Sequence, residues 1–321
     1  MRTLARSRRL QNRGSDPMNE AMRMLPPPLF FLHPGISQRV ALLTASLLVW
    51  MHDSRAAETK AFTQPGIAEM RLVTDVDAIQ AGKPFHIGLV IRHLPGYHTY
   101  WKNPGIVGVP TSFLWDLPPG FVAGEIQWPA PRTTQMAAYT AWGYEGDVCL
   151  VVEIRPPAKL PKTDAEGNLW LKARAIWMCC AVQCNPGWED FQIPLVVARS
   201  DQKVARDAKN AGLIESSLAK VPGPGPTSWN YRGALPQKDL VELEIIPPAE
   251  VTDDLSGAWF FCDDNLADSH EPQKVRRTGR NSWIITMHRP PHAPKNPVAL
   301  SGVLQLPGQK PEFRVISVPL P

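Results

Sequence analysis

Residues 168–180 read Asn-Leu-Trp-Leu-Lys-Ala-Arg-Ala-Ile-Trp-Met-Cys-Cys, and their alternation constrains the fold more than any other stretch. Leu169, Leu171, Ala173, Ala175, Trp177 and Cys179 fall on one face. Trp170, Lys172, Arg174, Ile176, Met178 and Cys180 fall on the other, which carries both charges. A period of two is that of a half-buried strand. The alternation predicts that Cys179 points to the core and Cys180 outward. Asn185-Pro186-Gly187 supplies turn chemistry just beyond.

This strand runs into three of the chain's five cysteines, and Cys180 and Cys184 make a Cys-x-x-x-Cys pair. A disulfide holds its Cα atoms about 4.4–6.8 Å apart. Four extended residues span about 13–14 Å, so the chain must turn between the two sulfurs. A loop this short contributes little loop-closure entropy, which favours a redox-active pair over a structural staple. Both readings stay open, as does metal. Zinc would want four ligands, and no His or Cys pair at ligand spacing accompanies the cluster. Cu(I) can be held by two or three thiolates, which makes Cys179, Cys180 and Cys184 the candidate set. Cys179 otherwise reads as a buried, inert thiol, and Cys149 and Cys262 as packed core thiols.

Thirty-four prolines in 321 residues is about twice the usual share. That disfavours helical bundles and fits a loop-rich β protein. Short alternating runs recur at intervals of about 8–12 residues with turn signals between them, the pattern of an antiparallel sandwich. Met70–Val76, Phe85–Ile91, Asp147–Arg155 and Phe191–Val197 are such runs. Residues 201–220 are charged and alanine-rich, which predicts one or two short helices. Pro222-Gly223-Pro224-Gly225-Pro226 reads as a linker. Strands are then expected at Leu240–Ile246, Ala258–Cys262, Trp283–His288, Val298–Leu306 and Phe313–Pro319.

The apolar run Val40–Met51 has twelve residues, too few for a membrane span of about 20. It follows Arg39 and precedes Ser54-Arg55-Ala56-Ala57, with small residues placed for cleavage after Ala56. This is the pattern of a secretory signal peptide. The expected organisation is an N-terminal extension and signal peptide over 1–56, a first immunoglobulin-like β-sandwich over 57–200, a helical segment and linker over 201–227, and a second β-sandwich over 228–321. The fold class is all-β. No basic stripe interleaved with aromatics marks a nucleic-acid surface. No nucleotide or flavin fingerprint marks a cofactor site.

Four stretches in order resemble the periplasmic N-terminal domain of the thiol:disulfide interchange protein DsbD, especially the branch with ScsB-type (suppressor of copper sensitivity) proteins. They are Gly96-Tyr97-His98-Thr99-Tyr100-Trp101-Lys102-Asn103-Pro104-Gly105, Trp128-Pro129-Ala130-Pro131, Gly143-Tyr144-Glu145, and residues 177–187 around the cysteines. The likeness spans about 66–198, with a weaker one to the second β domain of ScsB-type proteins over 228–321. It implies an immunoglobulin-like domain in the periplasm that carries electrons from a membrane-embedded thiol reductase to client proteins with disulfides. Carried onto this chain, Cys180 and Cys184 are the exchanging pair, with Cys184 the partner-facing sulfur and Cys180 the resolving one. Tyr100, Trp101, Tyr144 and Trp177 become candidates for shielding the pair or meeting a partner, with core packing the alternative. The chain departs from the full architecture in lacking a multi-span membrane domain and a thioredoxin domain, and in carrying Cys179 where relatives have an aliphatic residue. That cysteine leaves open which sulfurs pair. A non-catalytic docking module with a structural disulfide, and a Cu(I)-binding copper-tolerance protein, are the competing functions.

Overall fold

The computed structural model describes residues 57–199 and 201–321, which fall in one compact unit. The expected signal peptide lies outside the described residues. Eleven strands come first: β1 (Phe62–Gln64), β2 (Ile67–Thr74), β3 (Phe85–His93), β4 (His98–Tyr100), β5 (Ser112–Asp116), β6 (Val122–Gln127), β7 (Arg132–Met136), β8 (Tyr139–Glu145), β9 (Asp147–Arg155), β10 (Asn168–Cys180) and β11 (Cys184–Val196). They form two sheets. One has the order β1-β2-β3-β9-β6, and the other β11-β10-β4-β8-β7, with β5 also pairing with β10.

The two sheets bury the faces that the alternation assigns to the core. Met70 and Leu72 of β2, Ile87, Leu89 and Ile91 of β3, and Leu150 and Val152 of β9 come from the first sheet. They share one buried cluster with Leu171, Ala173, Ala175 and Trp177 of β10 and Ile193 of β11 from the second. Each of the Leu, Ile, Val and Met side chains among them stabilises the fold by about 1.5–3 kcal/mol. The architecture is nearly all-β and matches an immunoglobulin-like sandwich.

The other face of β3 is buried as well. A helix, α1 (Ala208–Leu218), lies across it and packs Ile214 against Val73, Val90, Cys149 and Val151. Asp207 caps its start by accepting from the Asn210 N–H at 2.8 Å, filling one orphan donor of the first turn. Gly88 makes the close approach feasible. A Cβ there would stand 2.6 Å from the Cys149 sulfur and 3.2 Å from Ile214. The Ser217 hydroxyl donates to the Cys149 carbonyl and ties the helix end to β9.

Eight further strands follow: β12 (Gly223–Pro224), β13 (Asn230–Ala234), β14 (Leu240–Ile246), β15 (Trp259–Cys262), β16 (Lys274–Thr278), β17 (Ser282–His288), β18 (Ala299–Leu306) and β19 (Glu312–Pro319). They make two four-stranded sheets, β12-β19-β18-β15 and β13-β14-β17-β16. The Pro-Gly run read as a free linker is partly strand. Gly223 and Pro224 pair in parallel with Arg314 and Val315 of the last strand. Proline lacks the N–H that a central strand needs but is tolerated on an edge such as this one.

The core passes from the first pair of sheets into the second without a break. Trp101 and Trp142 both meet Phe261 edge-on, with ring centroids 6.4 and 5.7 Å apart. Polar contacts surround these rings. Lys102 pairs with Asp263 at 2.7 Å. The buried Asn103 side chain donates to the Cys262 and Asp264 carbonyls at 2.8 and 2.6 Å. The Ser269 hydroxyl accepts from the Ile106 N–H and donates to the Thr140 carbonyl.

Candidate functional site

β10 and β11 form a long hairpin in continuous register from Asn168↔Val196 to Cys180↔Cys184. The last pair before the turn is therefore the two cysteines. They are joined by a disulfide, with Cα atoms 4.2 Å apart. Between them Ala181-Val182-Gln183 forms the tip, where the Ala181 N–H donates to the Gln183 carbonyl at 3.1 Å.

The cysteines differ sharply in exposure. Cys184 is exposed, Cys180 is fully buried, and Val182 at the tip is 81% exposed. The alternation of β10 does put Cys179 and Cys180 on opposite faces. The expectation that Cys180 therefore meets solvent is corrected, because the outer face is covered at this end. β4 pairs with β10 only here, at Cys180↔His98, and Cys180 packs with Tyr100 and Ala141 under Val107, Met136 and Met178. Gly108, at φ +104°, lies so close above the Tyr100 ring that a Cβ would stand 2.2 Å from it. Such a φ is costly for any residue with a side chain. The loop after β4 thus roofs Tyr100, and Tyr100 roofs Cys180.

Cys179 sits in the sandwich core, and burial pushes its thiol up to about 12. Its sulfur faces away from the other two, so the structure does not bring Cys179, Cys180 and Cys184 together as three converging ligands. Cys149 is buried, with its thiol raised to about 12 by burial, and Cys262 is raised by the same cause. Among the described residues no group of three metal-ligating side chains converges.

Of the four aromatic candidates, Tyr100 packs against Cys180. Trp101 lies on the core side against Trp142 and Phe261. The Tyr144 hydroxyl is buried and donates to the Pro129 carbonyl at 2.7 Å. Trp177 is buried with its ring edge-on to Phe62 at 5.5 Å. Lys172 and Arg174 are exposed and paired with acids on neighbouring strands. Arg174 donates twice to Asp190, at 2.8 and 2.7 Å, and Lys172 lies 3.9 Å from Asp116.

His98 is the residue that sequence reasoning missed. It stands opposite Cys180 in register, and its ring meets Tyr100 edge-on at 5.0 Å. It is fully buried, and neither ring nitrogen has a hydrogen-bond partner among the described residues. The Tyr100 hydroxyl is likewise without a partner. Burial, helped by the nearby His93, pushes the His98 pKa down to about 4. Alternation within His98-Thr99-Tyr100 was the available signal, since it puts the imidazole and the phenol on one face. Partners for these strands lie far away in sequence, so that signal could not show which cysteine they would face.

Residues 69–194 match the family model described as thiol:disulfide interchange protein DsbD, N-terminal. This segment is a DsbD-type N-terminal domain. It contains the disulfide and its whole covering, from Tyr100 to Cys184. Among solved structures, the N-terminal periplasmic domain of ScsB from Proteus mirabilis superposes with a TM-score of 0.59 at 16% identity. That superposition covers 82% of this chain and 98% of that one. It therefore extends the likeness in fold beyond the DsbD-type domain into the later sheets. FdeC, an adhesin of Escherichia coli, aligns over 82% of this chain and 66% of its own at 12% identity. Its TM-score of 0.20 is too low to indicate a common fold. No curated protein matches the chain.

Proposed function

We propose that this protein carries out thiol–disulfide exchange in the periplasm, through the Cys180–Cys184 pair. It receives electrons from a membrane-embedded thiol reductase and delivers them to disulfides of client proteins. On this reading residues 57–200 are the exchanging domain, 201–227 the helical connection, and 228–321 the domain that holds the cover in place.

The observation that carries the reading is the asymmetry within one disulfide: Cys184 is exposed and Cys180 is sealed. An incoming thiolate must reach one sulfur in line with the S–S bond, and access selects which sulfur that is. The sulfur left behind then resolves the mixed disulfide from inside the protein, where no outside thiol competes. A staple needs no such asymmetry. It would also contribute little, since closing a loop this short adds about 2 kcal/mol against about 4.7 for a 100-residue loop. Exposed Val182 at the tip, with Val109 on the loop after β4 and Tyr139 at the start of β8, provides apolar rim for a partner. The 136–139 turn is tied to the tip by the Ala137 N–H, which donates to the Ala181 carbonyl at 3.0 Å.

Trapping tests the proposal. Cys180→Ser leaves an exposed nucleophile that cannot be resolved, so mixed disulfides with clients should accumulate. Cys184→Ser leaves only the sealed thiol and should trap little. Equal trapping by both variants, or client reduction by either at the wild-type rate, would defeat the proposal and favour a docking module with a structural disulfide.

A further inference from the structure

An imidazole sealed in the protein with two unpartnered nitrogens is expensive, since each unmet polar atom costs about 1–3 kcal/mol. His98 is such a group. Its position suggests what meets that cost. Residues directly opposite on antiparallel strands have Cβ atoms about 4.5–5.5 Å apart on the same face. Cys184, Cys180 and His98 lie in one such row across β11, β10 and β4. In the disulfide the Cys180 sulfur has no proton to donate. In the reduced protein it has one, and His98 is the unsatisfied acceptor beside it.

We propose that His98 accepts the Cys180 proton during resolution of the mixed disulfide, and returns it as the client thiolate leaves. This inference rests on the exchange reading above. In the first step the Cys184 thiolate attacks one sulfur of the client disulfide. A bond forms from Cys184 Sγ to that sulfur, the client S–S bond breaks, and the other client sulfur leaves as a thiolate. In the second step the Cys180 proton moves to His98, giving a thiolate beside an imidazolium. That thiolate attacks Cys184 Sγ. The Cys180–Cys184 bond forms, the bond from Cys184 to the client breaks, and its electron pair leaves on the client sulfur. The client is reduced by two electrons and the cysteine pair is oxidised by two. The imidazolium, now without its counter-charge, passes its proton to the departing client thiolate.

The surroundings of His98 fit a transient proton holder. From its own strand it faces Tyr100, from β10 Cys180, and from the end of β3 His93. Glu145 on β8 is its register partner, with an exposed side chain. His93 is already committed, its Nδ1–H donating to the Gly146 carbonyl at 2.6 Å and its Nε2 accepting from Thr99. Nothing there holds His98 protonated once the thiolate is consumed, and burial with the nearby His93 depresses its proton affinity.

The test is rapid-mixing kinetics of the reduced full chain with dithionitrobenzoate, whose aromatic thiolate is coloured. The first equivalent of colour reports attack by Cys184, and the second reports resolution by Cys180. In the wild type the second phase should be nearly flat with pH, because thiol plus neutral imidazole and thiolate plus imidazolium carry the same number of protons. In His98→Phe the second phase should slow by about 100-fold at neutral pH, the lower end of general-base effects, and rise tenfold per pH unit. A merely structural role would leave the pH slope unchanged. An unchanged second phase in His98→Phe, or a wild-type second phase that rises tenfold per unit, overturns the His98 assignment. A wild type that releases only one equivalent instead overturns the exchange reading itself. Should His98→Phe not fold, Cys184→Ser with native His98 provides the second measurement. The His98 ring resonances, followed by NMR as the pH rises, should shift with the same midpoint as the Cys180 thiolate absorbance, because the thiol proton held on the ring nitrogen is lost there. A Cys180 thiolate that forms with no change at the His98 ring contradicts the proposal.

Discussion

Cys184 is the one cysteine of the five with an exposed side chain, and the other four differ from it in burial. Alkylation depends on access and on the thiolate, and burial suppresses both. In reduced, folded protein, iodoacetamide should therefore modify Cys184 first. Cys149, Cys179 and Cys262 should react only after unfolding, and peptide mapping checks the order. Early labelling of Cys179 would mean that the core face opens at this end. His98 gives a second prediction. Its pKa is depressed in the fold to about 4 from an ordinary 6.5, so the unfolded chain binds its proton first. This stability is whole above about pH 6.5 and drains as the pH falls, by about 3 kcal/mol at pH 4. Urea unfolding of oxidised wild type and His98→Phe at pH 7 and pH 4 should show a smaller acid loss in the variant. Equal losses would mean that His98 is not held neutral. The face assignments of Cys179 and Cys180 could be read from the alternation of β10. The burial of Cys180 could not, because most of its cover comes from other strands and loops, about forty to eighty positions away.

β4 and the loop that follows it form the element on which the site depends. One edge of this strand meets β10 at the disulfide and the other meets β8. The loop after it is held by the later sheets through Asn103. Asn103→Ala would strand the buried Cys262 carbonyl and remove the bond to the Asp264 carbonyl, and should cost about 1–3 kcal/mol in urea unfolding. It should also speed reduction of the disulfide by dithiothreitol, because the loop over Tyr100 loses its tether. A destabilised variant with unchanged reduction kinetics would show that the tether serves folding alone. Most strands were visible as alternating runs, and the expected Leu240–Ile246 is β14 to the residue. β12 was not visible, because a Pro-Gly run forms a strand only when a distant edge accepts it. The second buried face of β3 was hidden for a similar reason. It reads as half-polar until α1 covers it.

At the scale of the molecule, a sandwich that carries a disulfide at one hairpin end is joined by a continuous core to a second pair of sheets. The same loop both covers the disulfide and makes the junction. Exposure of the site and docking of the later sheets are coupled for that reason. The resemblance in four short motifs anticipated the DsbD-type domain, since those motifs hold the turns and the covering loop. The junction through Asn103, Ser269 and Phe261 carried no such signal, because it pairs residues about 160 positions apart. The central claim is that Cys180–Cys184 is an exchanging bond and not a staple, and its reduction potential tests this most directly. Equilibration of the full chain in glutathione or dithiothreitol buffers, with mass-spectrometric mapping of the bonded cysteines, should give about −200 to −270 mV, the range of proteins that pass electrons between thiols. A value below about −300 mV, that of disulfides which the glutathione pool does not reduce, would contradict the account.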